Sequence, residues 1–253
     1  MAVRERLYAQ RASVGGIGEE RVRACLRLFR TLRGERLLDI GCADGAITVL
    51  LAKSMGAREA FGVDITAEAV AAARERGVEA FCVDVDSDDL PFENDRFDVV
   101  YCGELIEHVF DPDHLLGEVK RVLKPGGHCV LTTPNLGGWP NRLALLFGFQ
   151  PYPTAVSPKH EGAGKLLLKG EEGQWGHIRV FTLRALKELV RLHGFTIRGV
   201  KGCPVTVKSS HRLAAVARLL DRSLARFPGL ANRVILVLGR REVWGAKSPQ
   251  EGP

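Results

Sequence analysis

Glu104-Leu105-Ile106-Glu107-His108 is the stretch of this chain most loaded with groups that do chemistry. If it opens a helical turn, Glu104 and His108 stand at i and i+4 on one face, with Glu107 close by. Carboxylates and an imidazole so gathered can hold a divalent cation, and a histidine can also serve as a general base near neutral pH. His177, in Gly176-His177-Ile178-Arg179, is a further candidate for either role. The competing reading is that a glutamate at such a place simply lines a pocket.

A second group is Leu37-Leu38-Asp39-Ile40-Gly41-Cys42-Ala43-Asp44-Gly45, an apolar run that ends in Asp-x-Gly-x-x-x-Gly and passes into Ala46–Leu51. The pattern reads as a buried strand, a tight glycine turn and a helix start. Gly41 and Gly45 allow positive φ and close approach of a ligand, while free N–H groups at the helix start favour polar or anionic ligand groups. Two glycines also serve merely to turn a strand into a helix. Asp64 and Asp84 form the third group, each closing an expected strand. An acid about twenty residues after a glycine turn can accept hydrogen bonds from both hydroxyls of a ribose. Asp84 can meet an adenine amino group while the N–H of Val85 reaches a ring nitrogen. The plainer alternatives are a turn or cap role for Asp64 and a solvated turn acid for Asp84, beside Asp86, Asp88 and Asp89.

The elements that must position these residues alternate. Glu19 to Leu32 places Val22, Leu26, Phe29 and Leu32 at helical spacing. Strands are expected at 36–42, 59–65, 80–85, 97–102 and 128–133, with helices after the first, second and fourth. Thr66 and Asp111-Pro112 have the chemistry of helix starts, and Lys124-Pro125-Gly126-Gly127 breaks the helix before strand five. The alternation stops between Asn135 and His177. A helix from Thr182 to Gly194, a sixth strand at 195–200, an amphipathic helix from Ser209 to Phe227 and a seventh strand at 232–241 follow. Such a chain folds as α/β with a doubly wound, mostly parallel sheet, and ligands then lie at the carboxyl ends of its strands, where strand order reverses. The glycine turn, Asp64, Asp84 and Glu104 all gather there.

From Leu37 to Asn135 the chain resembles the class I S-adenosylmethionine-dependent methyltransferases, through LLDIGCADG, GVDI, the acidic turn ending LPF, FDVVYCGELIEHV, EVKRVLKPGG and VLTTPN. The resemblance implies a seven-stranded Rossmann-like sheet with an antiparallel last strand. It implies S-adenosyl-L-methionine as cofactor, held by Asp39 and the loop of Gly41, Cys42, Ala43 and Gly45 at its methionine part, by Asp64 and Ile65 at the ribose, by Asp84 and Val85 at the adenine, and by Glu104 at the pocket edge. Ala43 stands where many members have glycine, and Asp86 rivals Asp84. The segment E-x-x-E-H is similar to the metal-binding segment of ubiquinone-type O-methyltransferases and of small-RNA 2′-O-methyltransferases, which makes Glu104, Glu107, His108 and His177 possible ligands of a divalent metal and His108, Glu104 and His177 the catalytic candidates. An NAD(P)-dependent oxidoreductase shares the glycine turn and the acid, but G-x-x-x-G is not G-x-G-x-x-G.

The 253 residues suit one domain with segments 1–34 (helical), 35–134 (cofactor core), 135–177 (acceptor-side insertion or lid), 178–242 (rest of the sheet) and 243–253 (flexible tail). Six cysteines without a C-x-x-C pair, no apolar segment near Met1 and no span-length apolar run are expected of a cytoplasmic protein with free thiols. The first 36 residues carry nine basic and four acidic side chains and the last 56 carry eleven and three, so the stretch between is net −7 within a chain of net +6. The basic ends suit an acidic substrate, a nucleic acid or an anionic membrane; solubilising helix faces are the reading favoured here. The Ser209–Phe227 stripe of Leu213, Val216, Leu220, Leu224 and Phe227 is expected to pack on the core, with peripheral membrane contact as its alternative. Trp139, Phe147, Phe149, Tyr152 and Trp175 are expected to line an acceptor pocket, touch a membrane or pack together. The expected function is methyl transfer to a small-molecule, lipid-linked or glycan-precursor acceptor, at oxygen; an RNA acceptor is the alternative, which Thr133-Pro134-Asn135 disfavours for base methylation because it is not N-P-P-Y.

Overall fold

The apolar run before the glycine turn becomes β1 (Arg36–Ile40), and the fold is built outward from it. In this computed structural model the described residues are 20–157, 159–160, 162–166, 176–204 and 212–240. Before β1 lies α1 (Glu20–Phe29); after it come α2 (Ala46–Met55), β2 (Glu59–Asp64), α3 (Ala67–Glu75), β3 (Glu79–Cys82), β4 (Phe97–Gly103), a 3₁₀ turn (Ile106–His108), α4 (Pro112–Val122), β5 (Leu123–Pro134), α5 (Trp139–Leu146), α6 (Leu183–Leu192), β6 (Phe195–Cys203), α7 (Arg212–Leu224) and β7 (Arg233–Arg240). The strands form one seven-stranded sheet in the order β3-β2-β1-β4-β5-β7-β6, parallel except that β7 runs antiparallel to both its neighbours. Strand order reverses between β1 and β4, which puts the turn after Ile40 and the turn after Gly103 side by side.

Side chains alternate across the sheet with period two, and both faces are covered. Leu37, Val99, Val130 and Ile235 meet Phe29, Leu51 and Met55 of α1 and α2. Their sequence neighbours Leu38, Val100, Leu131 and Leu236 meet Leu115, Val119, Leu186 and Val190 of α4 and α6. Asp111 caps α4 by accepting from Asp113 N and His114 N, at 3.0 and 2.9 Å, with Pro112 at the first helical position. The Asp86–Phe92 turn is pinned from below: Leu90 and Phe92 are buried, and Arg121, paired in two bonds with Glu118, donates to the carbonyls of Leu90 and Phe92.

Several expectations are corrected. The first strand ends at Ile40 rather than Cys42, and β3 ends at Cys82, which leaves Asp84 in the following loop. The insertion is not without regular structure, because Trp139–Leu146 is a helix with Pro140 in its first turn. Of the α7 stripe only Leu224 is half-buried among the side chains described, while Leu220 is 49% and Phe227 63% exposed. Asp221 sets the helix orientation instead, since its buried carboxylate accepts from Trp139 Nε1 (2.9 Å) and Asn232 Nδ2 (2.8 Å). The side chains of Leu213 and Val216, together with Trp175 and the 243–253 tail, lie outside the described residues. Among the described residues, no helix is long and apolar enough to cross a membrane.

Candidate active site

The glycine turn is fixed by β2. Gly41 N and Cys42 N donate to Val63 O, and Ala43 N donates to Asp64 Oδ2 at 3.0 Å. Gly41 (φ 78°) and Gly45 (φ 75°) take the left-handed conformation that glycine allows, and Ala43 takes it as well (φ 48°), against the steric preference of an L residue. A Cβ at Gly45 would stand 3.0 Å from Ala73, so the turn lies against α3. Asp39 is buried and accepts the Thr48 hydroxyl at 2.5 Å, which ties the strand end to the first turn of α2. Burial pushes its carboxyl up to about 7, the Thr48 bond opposing the rise and the nearby Asp64 charge adding to it.

Asp64 is engaged on both oxygens, since its Oδ1 accepts from Thr66 N and Thr66 Oγ1, each at 3.0 Å. Thr66 therefore spends its hydroxyl on Asp64 and makes no side-chain cap for α3. Ile65 is half-buried beside it. Of the two rival acids, Asp86 accepts from Phe110 N and Asp111 N (2.6 and 3.1 Å) and so fastens the loop before α4. Asp84 Oδ1 accepts from Asp86 N, with Val85 half-buried against the core.

Glu104 and His108 do not share a helical face. Glu104 sits in the left-handed region (φ 55°), and only Ile106–His108 forms a short 3₁₀ turn. The twist sends the Glu104 carboxylate toward β5 and β7, where Oε1 accepts the Thr132 hydroxyl at 3.0 Å and Oε2 pairs with Arg233 Nε at 2.9 Å. Glu107, His108 and His177 are instead brought together, with one ligand atom from each within 4.8 Å of the others. Thr133 Oγ1 donates to Glu107 Oε2 (2.9 Å), and His108 Nε2 lies 3.9 Å from Glu107 Oε1. His177 arrives because Ile178 N and Arg179 N both donate to Glu107 O, at 2.8 and 3.0 Å; the two imidazole centroids are then 4.8 Å apart. His108 Nδ1 faces Gly176 O (2.9 Å) and His177 Nδ1 faces Pro153 O (2.8 Å). Carbonyls only accept, so each Nδ1 is the donor, and in the neutral imidazole this leaves the lone pair on Nε2.

Two features were not assigned these roles from the sequence, although Asn135 was noted as the end of Thr133-Pro134-Asn135. Arg21 of α1 is buried and donates to the Tyr101 hydroxyl at 2.8 Å, beneath Gly103, where a Cβ would collide with the Tyr101 ring. Asn135, fully buried, donates to Ala231 O and accepts from Gly137 N and Leu183 N, which fastens the chain leaving β5 to the start of α6. Of the expected aromatic group, Trp175 lies outside the described residues. Phe147 is exposed, and the Trp139 indole N–H is spent on Asp221.

A glycine turn and a second-strand acid at the switch point of a sheet with an antiparallel seventh strand define a class I methyltransferase fold. The chain belongs to the methyltransferase-domain family, whose model matches residues 17–200. It is 36% identical over 178 residues to a ubiquinone biosynthesis O-methyltransferase of Aeromonas salmonicida, covering 68% of this chain and 67% of that one. A demethylmenaquinone methyltransferase of Staphylococcus aureus is 34% identical over 170 residues, covering 63% of this chain and 66% of that one. Among solved structures, an S-adenosylmethionine-dependent methyltransferase from Mesorhizobium loti superposes with a TM-score of 0.60 at 22% identity, over 89% of this chain and 100% of that one. The matches span between 31% and 67% of the length of the curated relatives. Family membership displaces the oxidoreductase alternative.

Proposed function

We propose that this protein transfers a methyl group from S-adenosyl-L-methionine to a ring hydroxyl of a small-molecule or lipid-linked acceptor of quinone type. The observation that carries the reading is the gathering of buried Glu107 and His108 with half-buried His177 at the strand edge that also bears the glycine turn. The two quinone-pathway relatives support the acceptor class, and the RNA alternative finds no such support.

In this reading Asp64 receives the ribose hydroxyls through lone pairs left over from its turn contacts, and Asp84 with Val85 receives the adenine, because Asp86 is committed to the loop before α4. The left-handed turn lets the backbone approach the methionine part, with Asp39 behind it and the Arg21–Tyr101 pair beneath. When bound, the cofactor supplies a methyl on a positively charged sulfur, already activated for in-line displacement. The protein's remaining work is to align the nucleophile and accept its proton. His108 Nε2, with Nδ1–H fixed on Gly176 O, is oriented to take the acceptor's hydroxyl proton as the oxygen attacks. One carboxylate and two Nε2 lone pairs whose Nδ1–H groups are anchored also fit a divalent cation, with Glu107, His108 and His177 as its holders and Thr133 behind Glu107. Such an ion would supply Lewis acidity toward the acceptor oxygen. Glu104, turned to Thr132 and Arg233, stands outside this donor set and is assigned to the pocket edge.

Calorimetry with S-adenosylmethionine and its demethylated product tests the core of the proposal. Both should bind, Asp64→Ala should weaken binding by about tenfold or more, and absence of binding to either would refute the reading. Labelled-methyl transfer to hydroxylated quinones, with and without chelator, then separates the two roles. Activity lost to chelator assigns the cluster to a cation, whereas activity that resists chelator and falls in His108→Gln assigns it to a base.

A further inference from the structure

Beside the chain leaving β5, α5 and α6 flank a groove of about 600 Å³ whose lining includes Asn135, Arg142, Leu145, Arg184, Lys187 and Arg191. Four of its lining residues are cations and none is an acid. Arg184, Lys187 and Arg191 recur at i, i+3 and i+7, so α6 presents them along one face. Among the described residues none of these three makes an ion pair or side-chain hydrogen bond; Glu188, at i+4 from Arg184 and i−3 from Arg191, shares their side of the helix but does not line the groove. The groove wall is built rather than incidental. Arg142 is held by Gly137 O (2.7 Å) and Gly229 O (3.3 Å), and Asn135 pins the wall to the start of α6. Charges of one sign converging on a concavity favour a multiply charged anion, and guanidinium groups match phosphate oxygens with paired donors. Leu145 lines the same groove, and Leu146 and Phe147 stand exposed just beyond it, which supplies an apolar lip beside the cations.

We propose that this groove is a binding site for the phosphate or diphosphate group of a ligand, separate from the cofactor turn and independent of the methyl-transfer reading. The group is carried either by a soluble phosphate ester or by a lipid headgroup whose chain lies against the Leu146–Phe147 lip.

The test uses the whole protein with inorganic pyrophosphate as the probe, by calorimetry at two salt concentrations. Binding should weaken with salt and fall at least about tenfold in the triple variant Arg184→Gln, Lys187→Gln, Arg191→Gln. Arg142 is left intact because it holds the wall, and an unchanged Tm shows that the variant is folded. Cosedimentation with vesicles containing or lacking phosphatidylglycerol separates the sources. Vesicle binding that pyrophosphate displaces assigns the site to a headgroup; pyrophosphate binding without vesicle binding assigns it to a soluble ester. Affinity for pyrophosphate within twofold of the parent in the triple variant, or affinity lost instead in Asp64→Ala, would overturn the proposal.

Discussion

Asp39 is a buried carboxyl whose protonation should be visible in the stability of the cofactor-free protein. Burial raises it from the ordinary 3.8 to about 7, over the opposing bond from Thr48. The folded state therefore holds this proton over a range where the unfolded chain has released it. The resulting stability is fully present below the unfolded value near 4 and is lost as pH climbs to the folded value of about 7. At about 1.4 kcal/mol per pH unit the full loss is ~4 kcal/mol, of which ~2–3 kcal/mol falls between pH 5 and 7. Urea unfolding at half-unit steps from pH 5 to 8 should show this decline in the parent and a flatter profile in Asp39→Asn, which keeps the shape and an oxygen for Thr48. The difference between the two slopes is the readout, because carboxylates such as Glu118, held down by Arg121, affect both proteins alike. Equal slopes would refute the argument that Asp39 is protonated when the cofactor is absent. A positively charged cofactor favours ionised Asp39, so its affinity should rise between pH 6 and 8 in the parent and less in the variant.

Two other substitutions probe the turn and the cluster. Ala43→Gly removes the left-handed cost of an L side chain at φ 48° and should raise unfolding stability by up to about 1 kcal/mol, glycine's greater freedom in the unfolded state offsetting part of the gain; loss of stability in urea would show that the alanine methyl packs to more effect than its backbone costs. Thr133→Val removes the hydroxyl donor from buried Glu107 and should cost about 1–3 kcal/mol of stability, with kcat for methyl transfer falling and the affinity for cofactor unchanged; a variant with parental kcat would place Glu107 outside the reaction.

The strands, the glycine turn and the helix starts were legible in the sequence because their determinants are local. Apolar runs of strand length, the glycines of Gly41–Gly45 and Asp111-Pro112 each act within a few residues, and period-two burial followed from them. The resemblance supplied the antiparallel seventh strand, and the structure has it. The neighbourhood of Glu104 was not legible. Its place in the chain suggested a helical turn shared with His108, but a single left-handed residue re-aimed the carboxylate to Arg233, which is distant in sequence and adjacent only because β7 inserts beside β5. Arg21 under Tyr101 likewise depends on how α1 packs, and looked like one more surface arginine in an amphipathic helix. His177 was legible as a residue but not as a neighbour. Its approach to His108 rests on two backbone hydrogen bonds to Glu107 O, which no side-chain pattern encodes.

The sequence by itself thus determined the alternation of strands and helices, the glycine turn and Asp64 at a strand end, since periodicity and backbone sterics are written residue by residue. Only the tertiary structure decided which polar groups spend their hydrogen bonds on one another: Glu104 on Thr132 and Arg233, Asp86 on the loop before α4, Glu107 on Thr133. A buried polar group must find a partner, and which partner lies within 3 Å is a property of packing.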